Sequence, residues 1–411
     1  MPHIRPIDGY LVAPAHAEQV VSPAYDAVSP EMRREFAESN PGNYINTMRL
    51  LADFPPDSQP TVDELLAHNK ANLDALLASG AFNRIEHPCL FIYQLATADH
   101  LQTGVVCEIS VDEYAQGRLR KHENTRSDKE DLLAMYQQVV GVSSSPICLA
   151  YRHDDAIARA LTDLTAAPPA LDFVSGDGVA QRIWRIDDAA AQCRLQELFA
   201  LIDITYLTDG HHRAAAGWRY ARMRRESGTN RGDEPYNQLL VALFSARQLN
   251  LLPFHRAVAD LNGLSEMQLV DALQRDFEVQ AVAGESFAPS RHGEFGMLVG
   301  DRWYRLRMRE GLIDADDPAD SLDVSILQHH ILAPLLGIAD MRSDPRLDYV
   351  SGVSGNDGLR RKCADGWAVC FACFATSIDQ LMKVADAGGL MPPKSTYFDP
   401  KARSGIFIRP K

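Results

Sequence analysis

Leu207-Thr208-Asp209-Gly210-His211-His212-Arg213 sets the reading of this sequence. A short apolar run at 204–207 leads into it, and a helical pattern over 214–225 follows. The order is strand, glycine turn, helix start. Such a junction turns backbone N–H groups and the positive end of a helix toward an anion. Gly210 permits the tight turn and close ligand approach. Arg213 has the fork that grips two phosphate oxygens. Asp209 suits a metal ion or the orientation of a hydroxyl. His211 and His212 offer donors, or a proton relay near neutral pH. The same string also fits a polar helix start capped by Asp209 with solvated histidines. Zinc is a third option, although adjacent histidines rarely share one ion and no Cys lies near.

Outward from the turn, Arg118-Leu119-Arg120-Lys121-His122-Glu123-Asn124-Thr125-Arg126 packs four cations, a His, a Glu and a Thr into nine residues. It reads as a local phosphate-attracting patch or as a solvated charged loop. Beside these cations Glu123 stays ionised, able to accept a proton or bind Mg²⁺. Ser22-Pro23-Ala24-Tyr25-Asp26 and Asn40-Pro41-Gly42-Asn43 read as turns. Tyr25, Asp26 and Asn43 are further candidate site residues, as are His255 and Arg256 after Pro253. Pro392-Pro393 stiffens a loop that projects Lys394, Ser395 and Thr396. It is not a P-loop, since glycines and spacing are wrong. Cys370 and Cys373 lie in a strand-like run, where positions three apart face opposite sides. Buried small residues explain that pair better than zinc or redox chemistry.

With 411 residues, 46% of them hydrophobic, the chain can build a large core. Asp plus Glu outnumber Lys plus Arg, 55 to 41, giving a net charge of −14. That disfavours a general nucleic-acid binder. Seven scattered cysteines suit reduced thiols in a cytoplasmic protein rather than a disulfide scaffold. No signal-like apolar run opens the chain, and no 18-residue apolar stretch predicts a membrane span.

Ser29-Pro30 predicts a helix start, and Thr61-Val62-Asp63-Glu64 a capping box before an apolar stripe that Gly80 ends. Helical patterns fall at 129–138, 154–164, 189–201, 211–226, 264–277, 324–335 and 378–387. Strand patterns fall at 89–95, 103–111, 179–186, 202–207, 238–244, 296–299 and 367–372. The mixture predicts an α/β, or mixed α+β, body in two parts: residues 1–250, carrying 121–125 and 209–213, and residues 251–411 packed on it.

Taken in order, these segments resemble a bacterial and archaeal family, domain of unknown function 1015. The strings that carry the resemblance are SPAYDAVSP at 22–30, NPGNYINTMRL at 40–50, KHENT at 121–125 and LTDGHHRAAA at 207–216. LPFHRAV at 252–258, LDVSILQHHILAPLLGI at 322–338 and LMPPKSTYFDPK at 390–401 extend it over nearly the whole chain. The DGHHR turn also resembles the phosphate-binding turn of the ParB/sulfiredoxin superfamily, which includes kinases of free serine. That resemblance implies a ParB/sulfiredoxin-like phosphate-binding turn within the larger two-part body. It implies a nucleotide-binding small-molecule phosphotransferase, acting on free serine or a similar hydroxyl metabolite. ATP, ADP or pyrophosphate would be the donor, with Mg²⁺ held at Asp209.

In that reading Gly210, His212, Arg213 and Lys121 bind phosphate. Glu123, His122, Asp209 and His211 carry the chemistry, with Thr125 among further candidates. A non-catalytic regulator that binds nucleotide or phosphometabolite is the alternative, and a phosphoesterase a third reading. The expected partner is a small molecule, neither nucleic acid nor membrane, with a homo-oligomer left open.

Overall fold

The computed structural model describes residues 3–25, 29–228, 230–284, 286–313 and 317–411 of a mixed α/β protein. Two compact units divide the chain. The first comprises Met1–Arg120, Asn124–Leu249 and Pro400–Lys411, and the second Lys121–Glu123 and Asn250–Asp399. Relative to a boundary at residue 250, two segments change sides, each for a hydrogen-bonding reason. The strand Phe407–Pro410 pairs with Tyr10–Val12 in the first unit. In the second, the His122 carbonyl accepts the N–H of Met391 at 2.8 Å.

The first unit is built on an eight-stranded mixed sheet. Its order is Leu119–Arg120, Thr205–Asp209, Ile147–Tyr151, Gln238–Ser245, Leu101–Ser110, Leu90–Ala96, Ala180–Ile186 and Leu171–Val174. The apolar run at 238–245 is central because both its faces are covered. Leu240, Ala242 and Phe244 join one core with Phe91, Tyr93 and Phe407. Val241 and Leu243 join the opposite core with Leu149, Tyr151 and Phe199. Burial on both faces explains why this strand is continuously apolar rather than alternating. Each large side chain so buried contributes roughly 1.5–3 kcal/mol.

Helices form where local signals place them. The capping box at Thr61 and Glu64 is made in both directions, at 3.3 and 2.8 Å, and opens Val62–Ala78. Leu66, Leu73 and Leu76 of that helix enter the core. Gly80, at φ +79°, follows its end.

A six-stranded antiparallel sheet supports the second unit. Its order is Phe277–Ala281, Arg302–Met308, Glu294–Val299, Val369–Cys373, Phe254–Val258 and Leu347–Ser351. Two helical expectations change here. The helix expected over 264–277 spans Glu266–Leu273, because Phe277 opens a strand and pairs with Met308. The helix expected over 324–335 is Asp323–Leu327, then widens at Gln328–Leu332. There Ala333 N–H reaches back five residues to the Gln328 carbonyl, while the Gln328 side chain donates to the Ile338 carbonyl at 2.9 Å. Cys370 and Cys373 enter opposite cores, and all seven cysteines are free thiols.

Candidate functional site

The DGHHR turn lies in the first unit, where Thr205–Asp209 runs parallel to Leu119–Arg120 and antiparallel to Ile147–Tyr151. Leu207 pairs with Leu149 and Asp209 with Cys148, so Thr208 is an extra residue that bulges out of the ladder. Bulges re-aim the residues beside them. Gly210 then takes φ +96°, ψ +29°, a left-handed conformation that favours glycine. The helix His211–Ser227 starts directly after it, and its first internal bond runs from Ala214 N–H to the Gly210 carbonyl.

Among the described residues, no side-chain cap is made at the Gly210 end of this helix. By contrast, Ser29, Thr61, Asp154, Asp188, Ser265 and Ser377 each accept a first-turn N–H of their own helices. Asp209 therefore does not fill the capping role that the sequence allowed it.

Asp209 instead pairs with Arg213 and faces Lys401 Nζ, 3.4 Å from its Oδ1. Arg213 Nη1 donates to the carbonyls of Ser145 and Pro146, both at 2.8 Å. The guanidinium lies against the turn: a Cβ on Gly210 would stand 3.0 Å from Arg213 Nη2. Glycine is thus required here twice, for its φ and for the space Arg213 occupies. Lys401 belongs to the final segment of the chain, as do Arg403 and Ser404. Arg403 is buried and pairs with Asp177, and Ser404 bonds the Ser145 hydroxyl. Cys148, on the neighbouring strand, has its thiol pushed up to about 12, chiefly by burial and then by Asp209.

His211 is buried. His212 accepts the N–H of Arg126 through Nε2 at 3.2 Å. Burial and the charge of Lys129 hold its imidazole below the ordinary value. His212 is therefore a neutral acceptor that ties the 125–126 segment to the helix. Thr125 hydrogen-bonds Glu130.

Two other first-unit candidates have structural partners. Asn43 is buried and holds the carbonyls of Gln19 and Val21 at 2.8 and 3.1 Å. The Tyr25 hydroxyl bonds Asp53 and its ring lies under Arg33, with the phenol raised by burial and by the Asp53 charge. Asp26 lies outside the described residues.

Lys121, His122, Glu123, His255, Arg256, Lys394 and Ser395 belong to the second unit. Arg256 is wholly buried and holds the carbonyls of Pro393 and Lys394 at 3.2 and 3.0 Å. Lys394 has φ +54°, unusual for a side chain with a Cβ. Its ammonium sits 5.1 Å over the Phe254 ring. The Ser395 hydroxyl donates to Pro392. His255 accepts the Cys373 N–H through Nδ1 at 3.1 Å. These contacts make Arg256 a clamp for the proline-rich loop.

Asp209 does not fit the expected Mg²⁺ ligand, because both of its oxygens face cations. Among the described residues, no group of three or more His, Cys, Asp or Glu is placed to hold a metal ion. Lys401, Arg403 and the 145–146 carbonyls were absent from the sequence-based site. Their only local signal was the proline-rich string that ends at Lys401.

Among solved structures, the chain is similar to a free serine kinase variant in complex with ADP, at 12% identity and a TM-score of 0.36, over 74% of this chain and 92% of that one. It is also similar to C-terminally truncated SbnI from Staphylococcus aureus (10% identity, TM-score 0.38, 74% and 87%). A conserved hypothetical protein from Pyrococcus furiosus gives 11% identity and a TM-score of 0.35, over 74% and 95%. No curated protein matches the chain. A family model described as protein of unknown function (DUF1015) matches residues 4–325 of the 411, and the chain belongs to that family.

Proposed function

We propose that the first unit binds a phosphate-bearing small molecule at the 209–213 turn, and that the protein transfers a phosphoryl group from it to a small hydroxyl metabolite, serine or a relative of it. One observation carries this reading. A 17-residue helix begins at a left-handed glycine with no side-chain cap, so its opening N–H groups and positive end face whatever stands before the turn. Arg213 holds that turn in shape by bonding Asp209 and the 145–146 carbonyls. In the transfer, the acceptor oxygen bonds to the terminal phosphorus and the bridging P–O bond breaks. The shortened phosphate leaves, and the hydroxyl proton passes to a protein base. Positioning and charge neutralisation do most of the work in such reactions.

A second reading is favoured by Asp209. Its two oxygens are turned to Arg213 and Lys401 rather than placed as a base, as suits a regulator that binds and does not turn over.

Phosphorus NMR separates the two. The protein is given ATP, ADP or pyrophosphate with Mg²⁺, with and without serine and a pool of hydroxyl metabolites, beside an Arg213→Ala variant. A new phosphoester signal, absent in the variant, establishes transfer. Donor shifts or broadening without product establish the regulator. Spectra identical to those of the donors alone overturn both.

A further inference from the structure

Cysteine spacing draws attention to Cys370 and Cys373, but the fold sends them into opposite cores. It brings Cys370 instead to Cys363, Sγ to Sγ at 3.4 Å. The meeting is built by the end of the helix Gly355–Ala364. Gly366 takes φ +96°, a left-handed conformation that favours glycine. Its N–H reaches back to the Cys363 carbonyl, and the Trp367 N–H to the Lys362 carbonyl, both at 3.1 Å. These two bonds close the helix and turn the chain back on itself. The strand Val369–Cys373 follows at once and sets Cys370 against the helix that the chain has just left.

The two sulfurs are not equivalent. Cys370 is fully buried, and its strand is paired on both sides, opposite Leu298 and Ala257. Its thiol also has the Leu359 carbonyl as an acceptor, at 3.6 Å. Cys363 is half-buried and lies in the last turn of the helix. The hydrogen bond with Cys370 holds the Cys363 thiol below its ordinary value, against the effect of burial. The same bond, then burial, pushes the Cys370 thiol up. Cys363 is thus the more accessible sulfur and the one that ionises first, with a second thiol in place behind it. Oxidation-sensitive pairs have this arrangement of an acidic thiol beside a resolving one. Cys193 is exposed as well, but its sulfur bonds Glu197 rather than another thiol.

We propose that Cys363 and Cys370 form an oxidation site in the second unit, with a hydroperoxide as the oxidant and an intramolecular disulfide as the product. The Cys363 thiolate attacks one peroxide oxygen, and the O–O bond breaks. The other oxygen leaves as hydroxide or alkoxide and takes the proton that Cys363 gave up, and Cys363 becomes a sulfenic acid. Cys370 Sγ then attacks Cys363 Sγ, the S–O bond breaks, and the departing hydroxide takes the Cys370 proton to form water. In all, the two thiols give up two electrons and two protons, and the peroxide accepts them. The sulfurs close from 3.4 Å to about 2.05 Å. Cys370 is fixed in a paired strand, so the end of the helix makes that move. Lys362, beside Cys363, moves with it: its ammonium pairs with Asp348 and stands 4.7 Å over the Trp367 ring.

Hydrogen peroxide added to the fully reduced full chain tests this. Remaining thiols are alkylated after denaturation, and the peptides are mapped by mass spectrometry. Wild type is expected to lose two of its seven thiols, as a peptide pair joined from Cys363 to Cys370, and dithiothreitol to restore both. Cys363→Ser is expected to slow the loss of thiols about tenfold or more. Cys370→Ala is expected to stop at a sulfenic acid on Cys363, trapped by dimedone. A wild type that keeps all seven thiols overturns the site. So does oxidation confined to Cys193, or a Cys363 carried to sulfinic acid while Cys370 stays reduced. The wild-type map decides the matter even where Cys370→Ala fails to fold.

Discussion

Glu108 and Arg409 stand 301 residues apart and meet as a two-pronged buried pair, Nε to Oε1 at 2.7 Å and Nη2 to Oε2 at 3.0 Å. Arg409 also donates to the Pro235 carbonyl at 2.6 Å. Removing one partner strands the other in the core. Arg409→Met is therefore expected to cost about 3–5 kcal/mol of unfolding free energy. The double variant Glu108→Gln, Arg409→Met should cost less than that single change. Urea unfolding of the three proteins checks it, and a single variant as stable as wild type refutes the pair's role.

Gly210→Ala meets two obstacles at once. A side chain at φ +96° is strained, and its Cβ would press on the Arg213 guanidinium at 3.0 Å. The expected cost is about 1–3 kcal/mol, with phosphate binding reduced because Arg213 must move. Thermal melting beside pyrophosphate titration reads both effects. Unchanged melting would show that the backbone at 210 is not held left-handed.

His255 gives the second unit a pH dependence of known sign. Burial and then the Arg256 charge pull its imidazole down to about 4. The unfolded chain titrates this group near 6.5. Between those values the unfolded state binds a proton that the folded state refuses. The contribution of the neutral histidine is complete above pH 6.5 and is lost toward pH 4, about 3 kcal/mol in all. Asp323, pushed up to about 6 by burial, acts in the opposite sense, because the folded state keeps its proton longer. The comparison is therefore with His255→Asn, whose amide oxygen can accept the Cys373 N–H. The variant's melting temperature should fall less between pH 6.5 and 4.5, and parallel curves would remove the buried neutral histidine.

Glu123 is the base that the sequence nominates. Under the proposed phosphoryl transfer, Glu123→Gln is expected to lower turnover about 100-fold or more while donor binding stays near wild type. Turnover and calorimetry on the same preparation decide it, and full activity in the variant removes Glu123 from the chemistry.

What could be read from the sequence was what depends on near neighbours. Thr61 and Glu64 are three residues apart, and their capping box forms as the string suggests. Ser29 caps the helix Pro30–Ser39 for the same reason. The strand, glycine and helix order at 205–213 is present because each step depends on the residue beside it. The run at 238–245 shows its burial in its composition. Its partners do not show: Val241 sits between Ile147 and Cys107, which only the closed sheet brings together. Ile147–Tyr151, five residues behind a proline, carries little pattern of its own. Nothing local ties Lys401 and Arg403 to Asp209 and Asp177. Arg213 stands out in the turn, but a sequence does not say which acceptors a guanidinium chooses. The 145–146 carbonyls are such acceptors.

The pairing of Tyr10–Val12 with Phe407–Pro410 sets an order of events during synthesis. The 150 residues at 250–399 emerge after most of the first unit and before the strand that completes it. At about 5–20 residues per second, that strand arrives roughly 10–30 s after Leu249. Through that interval the edge of Tyr10–Val12 is open, Glu108 has no arginine, and the turn at 209–213 lacks its lysine. The turn at 209–213 thus meets the Lys401 side chain only after the whole second unit has been synthesised.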